Sequence, residues 1–144
     1  MPMMHVLGVN LLAVLAAGVA TMVVGFLWYS PMLFARPWMI AMGMDPDDKE
    51  KLAAMQKSAG MSYGLAFVAS LVTAFVLGKL FSRLGIVELQ RAIMYSVAIW
   101  AGFVATVQLT GVLFEQKSMK LWFINTGYQL VCYVVMGIIL AMWQ

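Results

Sequence analysis

A chain of 144 residues that is 64% hydrophobic and only 10% charged, with a mean hydropathy of +0.92, lies far from soluble domains, which run at about 45–50% apolar and about 25% charged. No soluble fold of this length buries so much apolar surface, so lipid is the solvent the composition calls for, and the length allows one domain. The net charge of +3 comes without a basic stripe interleaved with stacking aromatics; it excludes nucleic acid as a partner and fits loops that face an anionic leaflet.

Charges divide the chain into four long neutral runs, residues 6–35, 58–78, 92–114 and 121–144. A spanning helix needs about 20 mainly apolar residues. Backbone groups in lipid must be paired internally, so strands here would need a closed barrel, and the runs lack a barrel's alternation. The prediction is an all-α integral membrane bundle of four transmembrane helices in a single domain, near 6–29, 61–80, 92–114 and 121–143.

The first helix reads as retained rather than as a cleaved signal, because no lysine or arginine precedes it and its apolar run exceeds the about 7–15 residues of a signal core. His5, the single histidine, falls at its outer end. The helix closes on Trp28 and Tyr29, amphipathic rings of the kind that gather at the water–lipid boundary. Pro31 then disfavours helical geometry at Ser30 and removes a donor. Residues 31–44 are apolar but too short to span, and Arg36 and Pro37 interrupt them. They read as an interfacial segment with Trp38 among the headgroups and Arg36 reaching water.

Residues 45–58 read as a short polar helix outside the membrane, the segment 31–58 being interfacial to cytoplasmic. Asp45 is the predicted N-cap, with Pro46 first in the helix and Asp47 and Asp48 near the positive end of its dipole. Cation binding by Asp45, Asp47, Asp48 and Glu50 is the alternative, against which stands the missing calcium-loop glycine. The first and third loops together hold Arg36, Lys49, Lys51, Lys57, Lys117 and Lys120, against Lys79, Arg83 and Arg91 in the second. The positive-inside rule then predicts a multi-pass cell-membrane protein with the first loop in the cytoplasm and both termini outside.

Helices in lipid associate through small residues. Ala13, Ala17, Thr21 and Gly25 form such a stripe on the first helix. Ala66, Ser70, Ala74 and Gly78 do so on the second, and Ala98, Gly102, Thr106 and Thr110 on the third. Packing within the chain is the expected use, and contact with a second copy or another membrane protein is the alternative.

Two stretches resemble a known family. Residues 25–39, GFLWYSPMLFARPWM, are similar to Gly-x-x-Trp-Tyr-Ser-Pro-x-x-Phe-Gly-x-x-Trp, with Ala35 in place of the glycine. Residues 113–131, LFEQKSMKLWFINTGYQLV, match a second stretch with Leu-Phe-Glu before a short loop and Ile-Asn-x-Gly-Tyr after it. Together they resemble a bacterial membrane family, domain of unknown function 1761. The resemblance implies a small multi-span membrane protein and no activity. The chain also resembles itself, since Val19-Ala20-Thr21 aligns with Val104-Ala105-Thr106. A duplicated helical hairpin related by a twofold along the membrane normal accounts for that, and so does chance among residues common in spans.

Chemistry-bearing groups are sparse. No catalytic set assembles away from the lone histidine, and no metal or phosphate motif occurs, so the expectation is a non-enzymatic protein with no cofactor and no metal. Cys132 reads as a small buried apolar side chain, and Glu115 as a surface charge pair with Lys117. No ionisable residue falls in a span centre, which argues against a proton-coupled pump or a voltage sensor. What remains is a neutral polar layer of Thr21, Ser70, Thr106, Gln108, Asn125 and Gln129, at a depth of about 6–13 Å from the first- and third-loop side. It either ties helices together or lines a vestibule. A structural or accessory membrane protein is the first functional expectation, and a small transporter or channel for a neutral solute or ion the second.

Overall fold

The computed structural model describes the backbone of residues 5, 6 and 8–144, and side chains from residue 8 onward. The His5 side chain and Leu7 lie outside the described residues. The first helix does not begin at residue 6. Two-residue strands β1 (His5–Val6) and β2 (Val9–Asn10) pair antiparallel. Helix α1 (Leu11–Trp28) starts beyond them, where the Asn10 side chain accepts the Leu12 N–H at 3.0 Å. Its amide also donates to the Trp143 carbonyl at 3.4 Å, tying the two ends of the chain together.

A turn through Ser30 and Pro31 leads to the seven-residue α2 (Ala35–Ala41). The polar helix expected at 45–58 and the span expected at 61–80 are one continuous helix, α3 (Lys49–Leu84), of 36 residues. At about 1.5 Å per residue it runs about 54 Å, well beyond a hydrocarbon core of about 30 Å. Nothing at 58–60 stops it, because Gly60 costs a helix only about 1 kcal/mol relative to alanine and no proline is present. Its cap is Asp48, which accepts the Lys51 N–H at 3.2 Å, not Asp45. Asp45 instead accepts the Asp47 N–H at 2.9 Å in the turn before the helix. Asp47 pairs at 3.8 Å with Arg36, an exposed contact of little energetic weight.

The C-terminus of α3 closes on Gly85 at φ 66°, with Ile86 N–H returning to the Phe81 carbonyl and Gly85 N–H to that of Ser82. That pattern needs a left-handed residue, which glycine supplies without Cβ strain. The third span runs Leu89–Phe114 and is not uniform. It comprises α4 (Leu89–Ile99), a six-residue π-helical segment (Trp100–Ala105) and α5 (Thr106–Phe114). The fourth is α6 (Met119–Met142), capped by Ser118 accepting the Leu121 N–H at 3.3 Å.

Among the described residues four helices are long and apolar enough to cross a membrane, and the distribution of side chains fits that solvent. Large apolar residues such as Val23, Phe26, Val72, Val76, Phe103 and Leu113 face outward, while Ala13, Ala17, Ala74 and Ala92 are fully buried. Close packing of small residues holds helices together in lipid, so this inversion is the expected sign of a bundle in a bilayer. α6 lies at the centre, against α1, α3, α4 and α5.

The small stripe of α1 packs inward, and that of α3 does so at Ala74 and Gly78 but not at the exposed Ala66, whereas that of the third span does not: Ala98, Gly102, Thr106 and Thr110 are exposed. The Thr106 and Thr110 hydroxyls donate to their own helix, to the carbonyls of Gly102 at 2.8 Å and Thr106 at 3.1 Å. The span packs through Ala92, Ser96, Ala105 and Val112 instead. A π segment widens the turn and rotates the face that follows it. This is why Phe103 and Val107, in phase with Ala92 and Ser96 on a regular helix, point outward here. The threonines aligned by the apparent internal repeat thus have unlike surroundings, Thr21 buried and Thr106 exposed.

The loop between α5 and α6 contains the one non-glycine residue with positive φ among those described, Gln116 at 57°. Lys117 N–H returns to the Val112 carbonyl at 3.0 Å and Gln116 N–H to that of Leu113 at 3.3 Å. The motif is the one that ends α3, with glutamine where glycine belongs. Gln116→Gly is therefore expected to raise stability by about 0.5–1 kcal/mol, read as a higher midpoint of thermal unfolding in mild detergent.

Candidate functional site

The bundle is closed at one end and open at the other. At the closed end, Val9, Ala13, Ala17, Ala74, Leu77, Phe81, Met136 and Leu140 form a tight apolar core. The opposite end, toward the first and third loops, holds a cleft of about 970 Å³. α1 contributes Met22, Gly25, Phe26 and Tyr29, and α6 contributes Leu121, Asn125, Tyr128 and Gln129. Met55, Tyr63 and Ala66 of α3 face Val107, Gln108, Gly111 and Val112 of α5, while Ala35, Trp38, Met39 and Met42 of the α2 region close the end.

Three tryptophans fix α6 as one wall of this space. Trp28 does not simply rest at a boundary, because its indole N–H donates inward to the Ile124 carbonyl at 3.0 Å. Trp100 donates to the Thr126 carbonyl at 2.8 Å, and Trp122 to that of Ala105 at 2.9 Å. The last two cross in opposite directions between α6 and the π segment. In an apolar solvent such donors would otherwise lack partners, so these bonds hold the register of α6 against both neighbours.

The polar floor is built from α1 and α6. The Tyr29 hydroxyl donates to Asn125 Oδ1 at 2.7 Å, and the Tyr128 hydroxyl donates to the Thr21 carbonyl at 3.2 Å. A phenol's ordinary pKa of about 10 keeps Tyr29 a neutral donor through the physiological range. Its ring meets Trp38 and Tyr128 edge-on, at centroid distances of 5.8 and 5.3 Å. Phe26 and Tyr63 make a similar contact at 5.4 Å and join α1 to α3. Gly25 lets the Tyr128 hydroxyl approach, since a Cβ there would lie 3.1 Å from it.

Of the six residues of the expected polar layer, the structure brings Gln108, Asn125 and Gln129 into this cleft. Asn125 is engaged by Tyr29, whereas the Gln108 and Gln129 amides are half-buried and make no side-chain hydrogen bond among the described residues. Thr21 is buried beside the cleft, its hydroxyl donating back to the Gly18 carbonyl at 2.7 Å. Ser70 is half-buried and Thr106 exposed, and neither lines the space.

Glu115 and Lys117 are not the expected ion pair. Both are exposed residues on the rim of the cleft, and the ion pair formed among the described residues is Arg36–Asp47. Cys132 is buried, as expected. Among the described residues no group of three His, Cys, Asp or Glu side chains is placed to hold a metal ion. Of the four acids at 45–50, Asp45 is used in the turn, Asp48 in the cap and Asp47 in the contact with Arg36, while Glu50 is exposed in the first turn of α3. Sequence reasoning missed the aromatic and methionine walls, because a ring or a thioether in an apolar run carries no sign of facing a cavity rather than lipid.

A family profile described as protein of unknown function (DUF1761) matches residues 12–141. That match covers nearly the whole of the four spans, and the chain belongs to this family. No curated protein and no solved structure matches it.

Proposed function

We propose that this member of the family is a non-enzymatic accessory membrane protein that holds one amphiphilic small molecule in the cleft at its open end. The observation that carries this reading is the pair of amides, Gln108 and Gln129, which have no side-chain hydrogen bond among the described residues and line a mostly apolar cavity rich in rings and methionines. Binding sites have this character, mostly apolar with a few convergent polar groups, and occupy about 300–1,000 Å³. An amide left without a partner in an apolar setting costs about 1–3 kcal/mol by mutational measures, a penalty that a hydrogen-bonding ligand relieves. The amides and neutral tyrosines of the floor bind and orient; at neutral pH they do not exchange protons. The excess of Lys and Arg on the open-end loops supports an orientation with this end in the cytoplasm.

The test is native mass spectrometry of the protein released from membranes, with wild type expected to carry one amphiphile per chain. Gln129→Leu is expected to lower that occupancy severalfold while reducing stability by about 1 kcal/mol or less. Wild-type protein carrying no adduct would overturn the reading. Transport of a neutral solute is a second reading, favoured by the volume of the cleft but opposed by the buried apolar core beneath it. Solute flux into liposomes above that of empty vesicles is the result that would support it, because the core must then open.

A further inference from the structure

Three features of the cleft together specify its occupant. The first is access from the side. Tyr63 of α3 and Val107 of α5 line the cleft yet are 50% and 66% exposed, and α3 and α5 are not among the closely packed helix pairs, which places the side opening of the space between these two helices, toward the surrounding hydrocarbon. A molecule already in the bilayer reaches it without crossing water.

The second is charge. Among the described residues, the charged ones lining the cleft are Glu115 and Lys117, of opposite sign and both exposed. Their backbone is held by the hydrogen bonds around Gln116, so the two side chains rise from a fixed turn. Trp38 and Tyr29 line the same end, and aromatic rings attract onium groups. The third is spacing. Gln108 of α5 lies seven residues before Glu115, the residue that caps that helix, about 10 Å along the axis, which places an amide donor at a level below the charges.

We infer that the occupant is a bilayer lipid with a zwitterionic head group. Its phosphate meets Lys117 and its ammonium meets Glu115 and the rings beside it. The ester region faces the Gln108 and Gln129 amides, and the acyl chains leave through the gap between α3 and α5. A purely anionic head would leave Glu115 facing like charge, and an uncharged one would leave both rim charges without a partner. This inference rests on the cleft being a binding site.

The experiment uses the full chain reconstituted in bilayers of equal parts phosphatidylcholine, phosphatidylglycerol and diacylglycerol with identical chains. After gentle re-extraction, retained lipid is quantified by mass spectrometry. Wild type is expected to retain phosphatidylcholine about three- to fivefold over either competitor, the scale of exposed charge pairs. Glu115→Gln should shift retention toward phosphatidylglycerol, and Lys117→Met should bring phosphatidylcholine down to the diacylglycerol level. Both substitutions are on exposed side chains, so the fold is retained. Retention in the bulk ratio by wild type, or a preference that neither substitution moves, would overturn the head-group inference while leaving the cleft as a lipid site. Retention of no lipid at all would overturn the cleft reading itself.

Discussion

Gly137→Ala is expected to destabilise the bundle by about 1–3 kcal/mol, the usual cost of overpacking a tight core. A methyl group on Gly137 would overlap the Ser96 hydroxyl and come within 3.3 Å of both the Ser96 Cβ and the Phe81 ring. Ser96 and Phe81 are fully buried, so neither has room to withdraw. The site joins α3, α4 and α6 at the closed end. A second replacement isolates the cause. Ser96→Gly removes the obstructing side chain, so the double variant should recover most of the loss. Ser96→Ala alone should be neutral or slightly stabilising, because the Ser96 hydroxyl is buried with no partner among the described residues, and such a group costs about 1–3 kcal/mol. Thermal unfolding in mild detergent measures all three. An unchanged midpoint for Gly137→Ala would show that α4 and α6 do not meet at this distance.

The second large effect concerns the cleft and should leave stability intact. Gly111 lines it, and a Cβ there would meet nothing within 4 Å. Gly111→Trp therefore extends an indole into open space rather than into a neighbour. Replacing a helical glycine also favours the helix by up to about 1 kcal/mol, so the unfolding midpoint should hold or rise. Occupancy by the bound amphiphile should fall by about tenfold or more, since overlap worth about 1.4 kcal/mol already gives that factor. Undiminished occupancy with a well-folded variant would place the ligand elsewhere. Gly137→Ala and Gly111→Trp thus separate the two halves of the molecule, one loosening the closed end and the other filling the open end.

Composition and the spacing of charges decided the solvent and the four spans by themselves, and the two motif stretches at 25–39 and 113–131 decided the family. A neutral run of about 20 residues has few alternatives in lipid, where each backbone group must find its partner within the helix. The neutral polar layer was also legible in part, because amides are rare enough in apolar runs that Gln108, Asn125 and Gln129 stand out, and all three meet at one cleft.

Packing decided the rest. Which stripe of small residues faces inward depends on helix phase, and the π segment changes that phase midway along the third span. The run 98–110 therefore looks like an interface in sequence and faces outward in the fold. Whether a tryptophan floats at a boundary or bonds to a carbonyl, as Trp28 does to Ile124, depends on a helix 96 residues away in sequence. The cleft has no sequence signature, because it is a space left where α3 and α5 stay apart, and only the relative placement of helices creates it.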